Sequence, residues 1–247
     1  MLSIIICTLN EEHYLPMLLD TLNQQEGTAF EVIVMDAHSD DNTAGVVKNY
    51  QTRANYPLRF FQLERPGLST QRNVGVDHAL YEQLLFMDAD VVLPNDFIKE
   101  SLRQIISEKI EIAGTKIYSA EANPLFRVMY WSYSTFYLPI VRLTNPIIHG
   151  CSIFATKEIH RKIGGFKKDI TFEDFRYAAD AAKFYRPRLL KKVYVKTSAR
   201  RYYKFNLAEW SELFLAGIYS IFKAGIDGKK NMKRFHENYG KHQHPKY

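Results

Sequence analysis

The sequence predicts an α/β fold, a mostly parallel, Rossmann-like sheet flanked by helices, and three observations predict it. Short apolar, β-branched runs alternate with segments of helical spacing, the pattern of crossover units. The runs are continuously apolar rather than alternating, as strands buried on both faces must be. Three of them end in a polar residue, at Thr8, Asp36 and Asp88. In an open α/β sheet ligands bind beyond the carboxyl ends of the strands, so these three ends mark one edge as a candidate site.

The first strand is "LSIIICT" (2–8), followed by helical spacing over about 12–25. It opens the chain without a basic lead and turns polar at Asn10, Glu11 and Glu12, which suits a strand and not a signal peptide. "EVIVMD" (31–36) is the second strand, and "SDDNT" supplies cap residues for a helix over 41–52. "LRFFQL" (58–63) precedes a helix over 69–81. "QLLFMD" (83–88) leads to Pro94, Asn95 and Asp96, which open a helix over 95–108, and "IEIAGTKIY" (110–118) is a fifth strand. Cys7 and Cys151 both lie in apolar contexts that read as buried strands. They predict free thiols and a reducing, cytoplasmic setting. At 247 residues, 46% hydrophobic and 24% charged, the chain suits one large domain without repeats or low-complexity stretches.

Charge is unevenly spread. Residues 1–182 carry 17 Lys and Arg against 23 Asp and Glu, whereas residues 183–247 carry 16 against 4. A basic C-terminal third beside an acidic body points to an anionic partner, a membrane surface or a phosphate-bearing substrate, or else to a solvated basic face. Nucleic acid is excluded as the expected partner, because no helix-turn-helix, zinc-knuckle or aromatic-basic interleaving is present.

"FMDADVVLP" places Asp88 and Asp90 two residues apart, on one face if the strand continues. Two carboxylates so close are acidic caps on a turn, or they share a cation. No Gly-rich phosphate loop follows the first strand, so the phosphates of a nucleotide would have to be held another way. A hard divalent cation, Mn²⁺ or Mg²⁺, on these carboxylates would hold them.

Together "SIIICTLNEEHYLPMLLDTL", "EVIVMDAHSDDNT", "GLSTQRNVGVDHA", "FMDADVVLP" and "GGFKKDITFEDFRYAADAAKF" resemble, in order and spacing, the motifs of glycosyltransferase family 2, inverting enzymes of GT-A fold that use nucleotide sugars. The resemblance implies a GT-A domain over residues 1–205, with a nucleotide-sugar-binding half (1–118) and an acceptor or catalytic half (119–205); the apolar run and basic residues beyond it read as a C-terminal helix and basic tail over 206–247. The resemblance implies that Thr8, Asn10, Glu11 and Asp36 line the nucleoside pocket, that Arg72 approaches the base or pyrophosphate, and that Asp90 is the direct metal ligand while Asp88 contacts ribose or a metal-bound water. Many relatives have a second acidic residue where Ala37 stands, which leaves Asp36 alone to recognise the base. Asp174, with Glu173 second, would be the general base, and Arg200 and Arg201 would neutralise the leaving diphosphate or else belong to the basic face. Both acids also suit a helix N-terminus on electrostatic grounds alone. His149 reads as a metal ligand or as a structural residue.

The acceptor is open, a saccharide or a lipid-linked glycan. "PLFRVMYWSYSTFYLPIVRLTNP" (124–146) and "LAEWSELFLAGIYSIFKAGI" (207–226) are too short to span a bilayer uncharged. They read as interfacial helices of a peripheral membrane protein, or as a helical subdomain or oligomer interface. A processive synthase is disfavoured, since no Q-x-x-R-W motif is present. The alternative to an enzyme is a non-catalytic nucleotide-sugar-binding or membrane-associated scaffold.

Overall fold

In a computed structural model the described residues are 1–27, 29–64, 67–144, 146–168, 173–200 and 203. Arg201, the expected C-terminal helix and the basic tail lie outside them. The N-terminal half follows the predicted order: β1 (Leu2–Thr8), α1 (Leu15–Asn23), β2 (Phe30–Asp36), α2 (Thr43–Gln51), β3 (Leu58–Gln62), α3 (Leu68–His78), β4 (Gln83–Asp88), β5 (Val91–Val92) and α4 (Phe97–Glu108). There follow β6 (Ile112–Ser119), α5 (Pro124–Ser132), a π turn (Tyr133–Tyr137), α6 (Leu138–Thr144), β7 (Ser152–Thr156), α7 (Lys157–Lys162), α8 (Glu173–Ala181) and β8 (Arg188–Thr197).

The sheet runs β3-β2-β1-β4-β7-β6-β8-β5. Its first four strands are parallel, as the unbroken apolar runs require. Beyond β4 it becomes mixed, because β7 is antiparallel to both β4 and β6, and β5 is antiparallel to β8. Side chains alternate across the sheet. Ile4, Ile6, Val32, Val34, Leu85 and Met87 pack with α1, α2 and α4 on one face. Ile5, Ile33, Met35, Leu84 and Phe86 pack with α3, α7 and α8 on the other. Helix α3 lies so close to β1 that a Cβ on Gly75 would come within 2.5 Å of Ile5.

Two expectations are corrected. The described part of the basic C-terminal third, 183–200, is not merely a solvated basic face, since it contains β8, whose Leu190, Val193 and Val195 are buried while Lys191 and Lys192 face out. Extra residues in β8 opposite the Thr115/Lys116 step bulge the strand. Nor do Asp88 and Asp90 share a strand face. β4 ends at Asp88, and Ala89 and Asp90 form a turn before β5.

Candidate active site

Parallel register brings the three polar strand ends together. Thr8 is paired with Asp36, and its predecessor Cys7 with Asp88. Thr8 Oγ1 donates to Asp36 Oδ1 at 2.9 Å, and the Ser39 amide and Gln62 Nε2 donate to Asp36 Oδ2 at 2.9 and 3.2 Å. Ser39 Oγ also donates to Asp36 Oδ1. Asp36 is wholly buried. It ties the β2–α2 turn, through Ser39, to the ends of β1 and β3. Asn10 locks the adjacent loop: its side chain accepts from the Asp40 amide at 2.8 Å and its own amide donates to Ser39 Oγ at 2.9 Å. Asn10 and His38 both have positive φ, 56° and 64°, so both loops bordering this edge hold a left-handed residue. Gln71 of α3 donates to the Thr8 and Met35 carbonyls at 2.9 and 2.6 Å, tying β1 to β2.

Arg72 lies one residue on, and its guanidinium is completely buried. Nη1 donates to Glu173 Oε1 at 2.8 Å, and Nη2 lies 3.1 Å from the Gly150 carbonyl and 3.4 Å from Asp88 Oδ1. The Phe166 ring covers it at 4.9 Å. Burial opposes its charge, but Asp88 and Glu173 outweigh that and raise its pKa. Gly150 is bonded on both sides, because its amide donates to Asp174 Oδ2 at 2.8 Å while its carbonyl accepts from Arg72. Asp174 Oδ1 takes the Phe175 amide at 2.9 Å. Burial, helped by the Glu173 charge, pushes Asp174 up to about 7 against the pull of Arg72 and those amides. Arg72 thus joins the end of β4 to the start of α8.

Asp90 belongs to a second network. Arg200 Nε lies 3.4 Å from Asp90 Oδ2, and the same guanidinium holds Glu11 in a bidentate pair, Nη1 to Oε2 at 2.9 Å and Nη2 to Oε1 at 2.5 Å. The Tyr14 ring lies 4.2 Å beneath it. Thr197 Oγ1 reaches Asp90 Oδ1 at 3.4 Å, so the end of β8 closes over the β4–β5 turn. Burial pushes Glu11 up to about 7 although Arg200 works against it. Asp90 and Glu11 form an acidic cradle with a cation already seated against both.

His149 stands elsewhere. Its Nε2 is 2.8 Å from the Tyr133 hydroxyl, and burial with the Arg142 charge pushes it down to about 4, so it is a neutral ring packed near Phe175. It joins no cluster of three or more His, Cys, Asp or Glu side chains fit to hold a metal, and none is found among the described residues. The carboxylates at the β4–β5 turn nonetheless fit a hard divalent cation. Mg²⁺ and Mn²⁺ are held by one or two carboxylates with phosphate oxygens completing the shell, and Asp90 already meets a positive charge. Gly150, Gln71, Tyr14 and Thr197 border the same edge although sequence reasoning singled out none of them, because their roles come from contacts 24 to 107 residues away or, for Tyr14, across the chain from Arg200.

Comparison with known proteins identifies the family and the fold. A family model described as glycosyl transferase family 2 matches residues 3–164. The poly(ribitol-phosphate) beta-N-acetylglucosaminyltransferase TarS of Staphylococcus aureus is 33% identical over 101 residues, 40% of this chain and 18% of the relative. A dolichyl N-acetyl-alpha-D-glucosaminyl phosphate 3-beta-D-2,3-diacetamido-2,3-dideoxy-beta-D-glucuronosyltransferase of Methanococcus voltae is 24% identical, covering 84% of this chain and 71% of that protein. The chain spans less than a fifth of the first curated relatives it matches, 18% of TarS and 19% of glycosyltransferase GlyA of Streptococcus pneumoniae. Among solved structures, S. aureus TarS 1-349 in complex with UDP-GlcNAc matches at TM-score 0.64 and 21% identity, over 96% of this chain and 70% of that one. The mannosyltransferase PcManGT from Pyrobaculum calidifontis, in complex with GDP-Man and Mn²⁺, matches at TM-score 0.69 and 22% identity, over 95% and 67%. At such identities the structures establish a shared fold.

Proposed function

This chain belongs to glycosyl transferase family 2 and has the GT-A fold, and from that premise we propose that it moves a sugar from a nucleotide-diphosphate sugar to an acceptor hydroxyl with inversion, assisted by Mn²⁺ or Mg²⁺. The observation that carries the reading is the Arg72 network, which couples Asp88 at the donor edge to Glu173 and, through Gly150, to Asp174. In a single displacement the acceptor oxygen bonds to the anomeric carbon as the bond from that carbon to the diphosphate breaks. Asp174 receives the hydroxyl proton. A carboxylate near neutrality is well matched to that task. Glu173, neutralised by Arg72, holds the buried charge balance and leaves Asp174 as the base. Asp90, with Asp88, would hold the divalent cation, and such a cation when bound stabilises negative charge on a departing diphosphate. Arg200 offers a guanidinium at the same point to pair with phosphate oxygens. His149 is assigned to packing on the acceptor side, not to the metal. The acceptor is a saccharide or a lipid-linked glycan.

A thermal-shift panel of nucleotide sugars with Mn²⁺, including UDP-GlcNAc and GDP-mannose, tests the reading. At a hundredfold excess over Kd a true donor adds about 2.7 kcal/mol, roughly 5–10 °C for a chain of this size. Asp90→Ala should remove the Mn²⁺-dependent part of that rise. If no nucleotide sugar raises the Tm, the proposal fails. If one does but no acceptor is glycosylated, the scaffold reading replaces it.

A further inference from the structure

The segment 124–144 is a helix that is apolar on two opposite faces. On the inner face Phe126, Tyr130, Ser134 and Leu138 recur every four residues and are buried. Ser134 Oγ is bonded to the Ile117 carbonyl, and Phe126 and Tyr130 pack with Ala199. On the outer face Leu125, Val128, Trp131, Phe136 and Ile140 are 67, 62, 50, 56 and 50% exposed. The π turn inserted at Tyr133–Tyr137 makes this a continuous stripe. Its wider winding delays the helix by about one residue per turn, so the positions after it fall back in line with those before it. Trp131 and Phe136, five residues apart across that turn, meet edge to face at 5.4 Å.

Charge along the stripe is basic, although Arg188 beyond it is paired with Glu108 at 3.6 Å. No Asp or Glu occurs between Glu121 and Glu158, while Arg127 and Arg142 lie within the helix. The end of the helix is joined to the basic lead of β8: Arg142 Nη2 donates to the Pro187 carbonyl at 2.6 Å, and Arg186 Nη2 to the Arg142 carbonyl at 3.3 Å. Arg188, Lys191 and Lys192 follow on the exposed side of β8. No helix among the described residues is long and apolar enough to cross a membrane.

We propose that the outer face of α5, the π turn and α6 is a docking surface for an anionic lipid bilayer, lying in the plane of the interface with Trp131 and Phe136 inserted. An in-plane helix is held by an apolar face sunk to the acyl boundary and by basic groups on the headgroups, and tryptophan favours that depth. Clustered arginine and lysine add attraction to acidic headgroups. A second copy of the chain fits less well. Pairing this face with itself would bring the arginine clusters together with no carboxylate on the helix to answer them. The surface is independent of the transfer reading.

The test uses the full chain with vesicles of phosphatidylcholine, with and without phosphatidylglycerol. Trp131 and Trp210 are the two tryptophans, so Trp210→Phe leaves Trp131 as the reporter. Its emission should shift to the blue only with phosphatidylglycerol vesicles. In an otherwise native chain Trp131→Ser with Phe136→Ser should cut flotation with those vesicles about tenfold or more, with unchanged Tm and unchanged thermal response to nucleotide sugar. Equal flotation of that variant, or vesicle binding without a shift at Trp131, overturns the proposal in favour of another basic surface. Shielding of Trp131 from iodide in the free protein overturns it in favour of cover by residues 207–226. A dimer dissolved by the double substitution, without vesicle binding, overturns it in favour of self-association.

Discussion

A methyl group at residue 150 would stand 2.9 Å from Arg72 Nη2 and 3.3 Å from Asp174 Oδ2. Neither atom can retreat, because each is held by a hydrogen bond to the backbone of that same residue. Gly150→Ala should therefore separate the two groups and lower transfer while leaving nucleotide affinity near its native value, a kcat effect read by steady-state kinetics. Asp174→Asn should keep donor binding by calorimetry and lose about 10²–10⁴ in turnover. Since the base works deprotonated and burial raises Asp174 to about 7, native kcat/KM should climb with pH and level off above about 7. The Asn variant should lack that limb; an identical limb would assign it to another group. Arg72→Met should cost about 0.5–3 kcal/mol in urea unfolding, because it leaves the mostly shielded Glu173 and the partly exposed Asp88 without their counter-ion.

Between residues and fold, β8 and the π turn show what an element adds. The run "RLLKKVYVKT" reads as a basic stretch, yet Leu190, Val193 and Val195 point into the core and its end meets Asp90. Leu190→Ala should cost about 2–5 kcal/mol, as emptying a core site does, whereas Lys191→Ala should stay within about 0.5 kcal/mol. Equal effects in urea titrations would return this segment to a solvated face. The bulge opposite Thr115 and Lys116 breaks the strict alternation that would have marked the strand in sequence. The π turn hides in the same way, since a helix-period reading cannot place an extra residue.

At the scale of the molecule, the acidic cradle and the buried imidazoles set opposing pH responses. Glu11 in the folded chain titrates near 7 and in the unfolded chain near its ordinary 4.5, so between these values the folded state holds the extra proton. Stability from this group is lost as pH rises through that window. His149 and His160, both pushed down to about 4 by burial, act in the opposite sense, because the unfolded chain binds their protons up to about 6.5. The raw profile should be shallow. The difference in Tm between native protein and Glu11→Gln should fall with rising pH across about 4.5 to 7, and a flat difference would deny Glu11 its raised pKa.

By itself the sequence determined the parallel half of the sheet, the shared edge of Thr8, Asp36 and Asp88, and the family. Those features rest on local apolar periodicity and on motifs contiguous in the chain, and parallel register then follows from burial on both faces. Only the tertiary structure decided that Asp88 and Asp90 serve separate networks, that Arg72 is a buried hub, that His149 packs on Tyr133, and that Gly150 joins Arg72 to Asp174. Each of these depends on groups far apart in sequence meeting at one strand edge. Their charges and hydrogen bonds are settled by burial and distance, and neither is a property of any short stretch of residues.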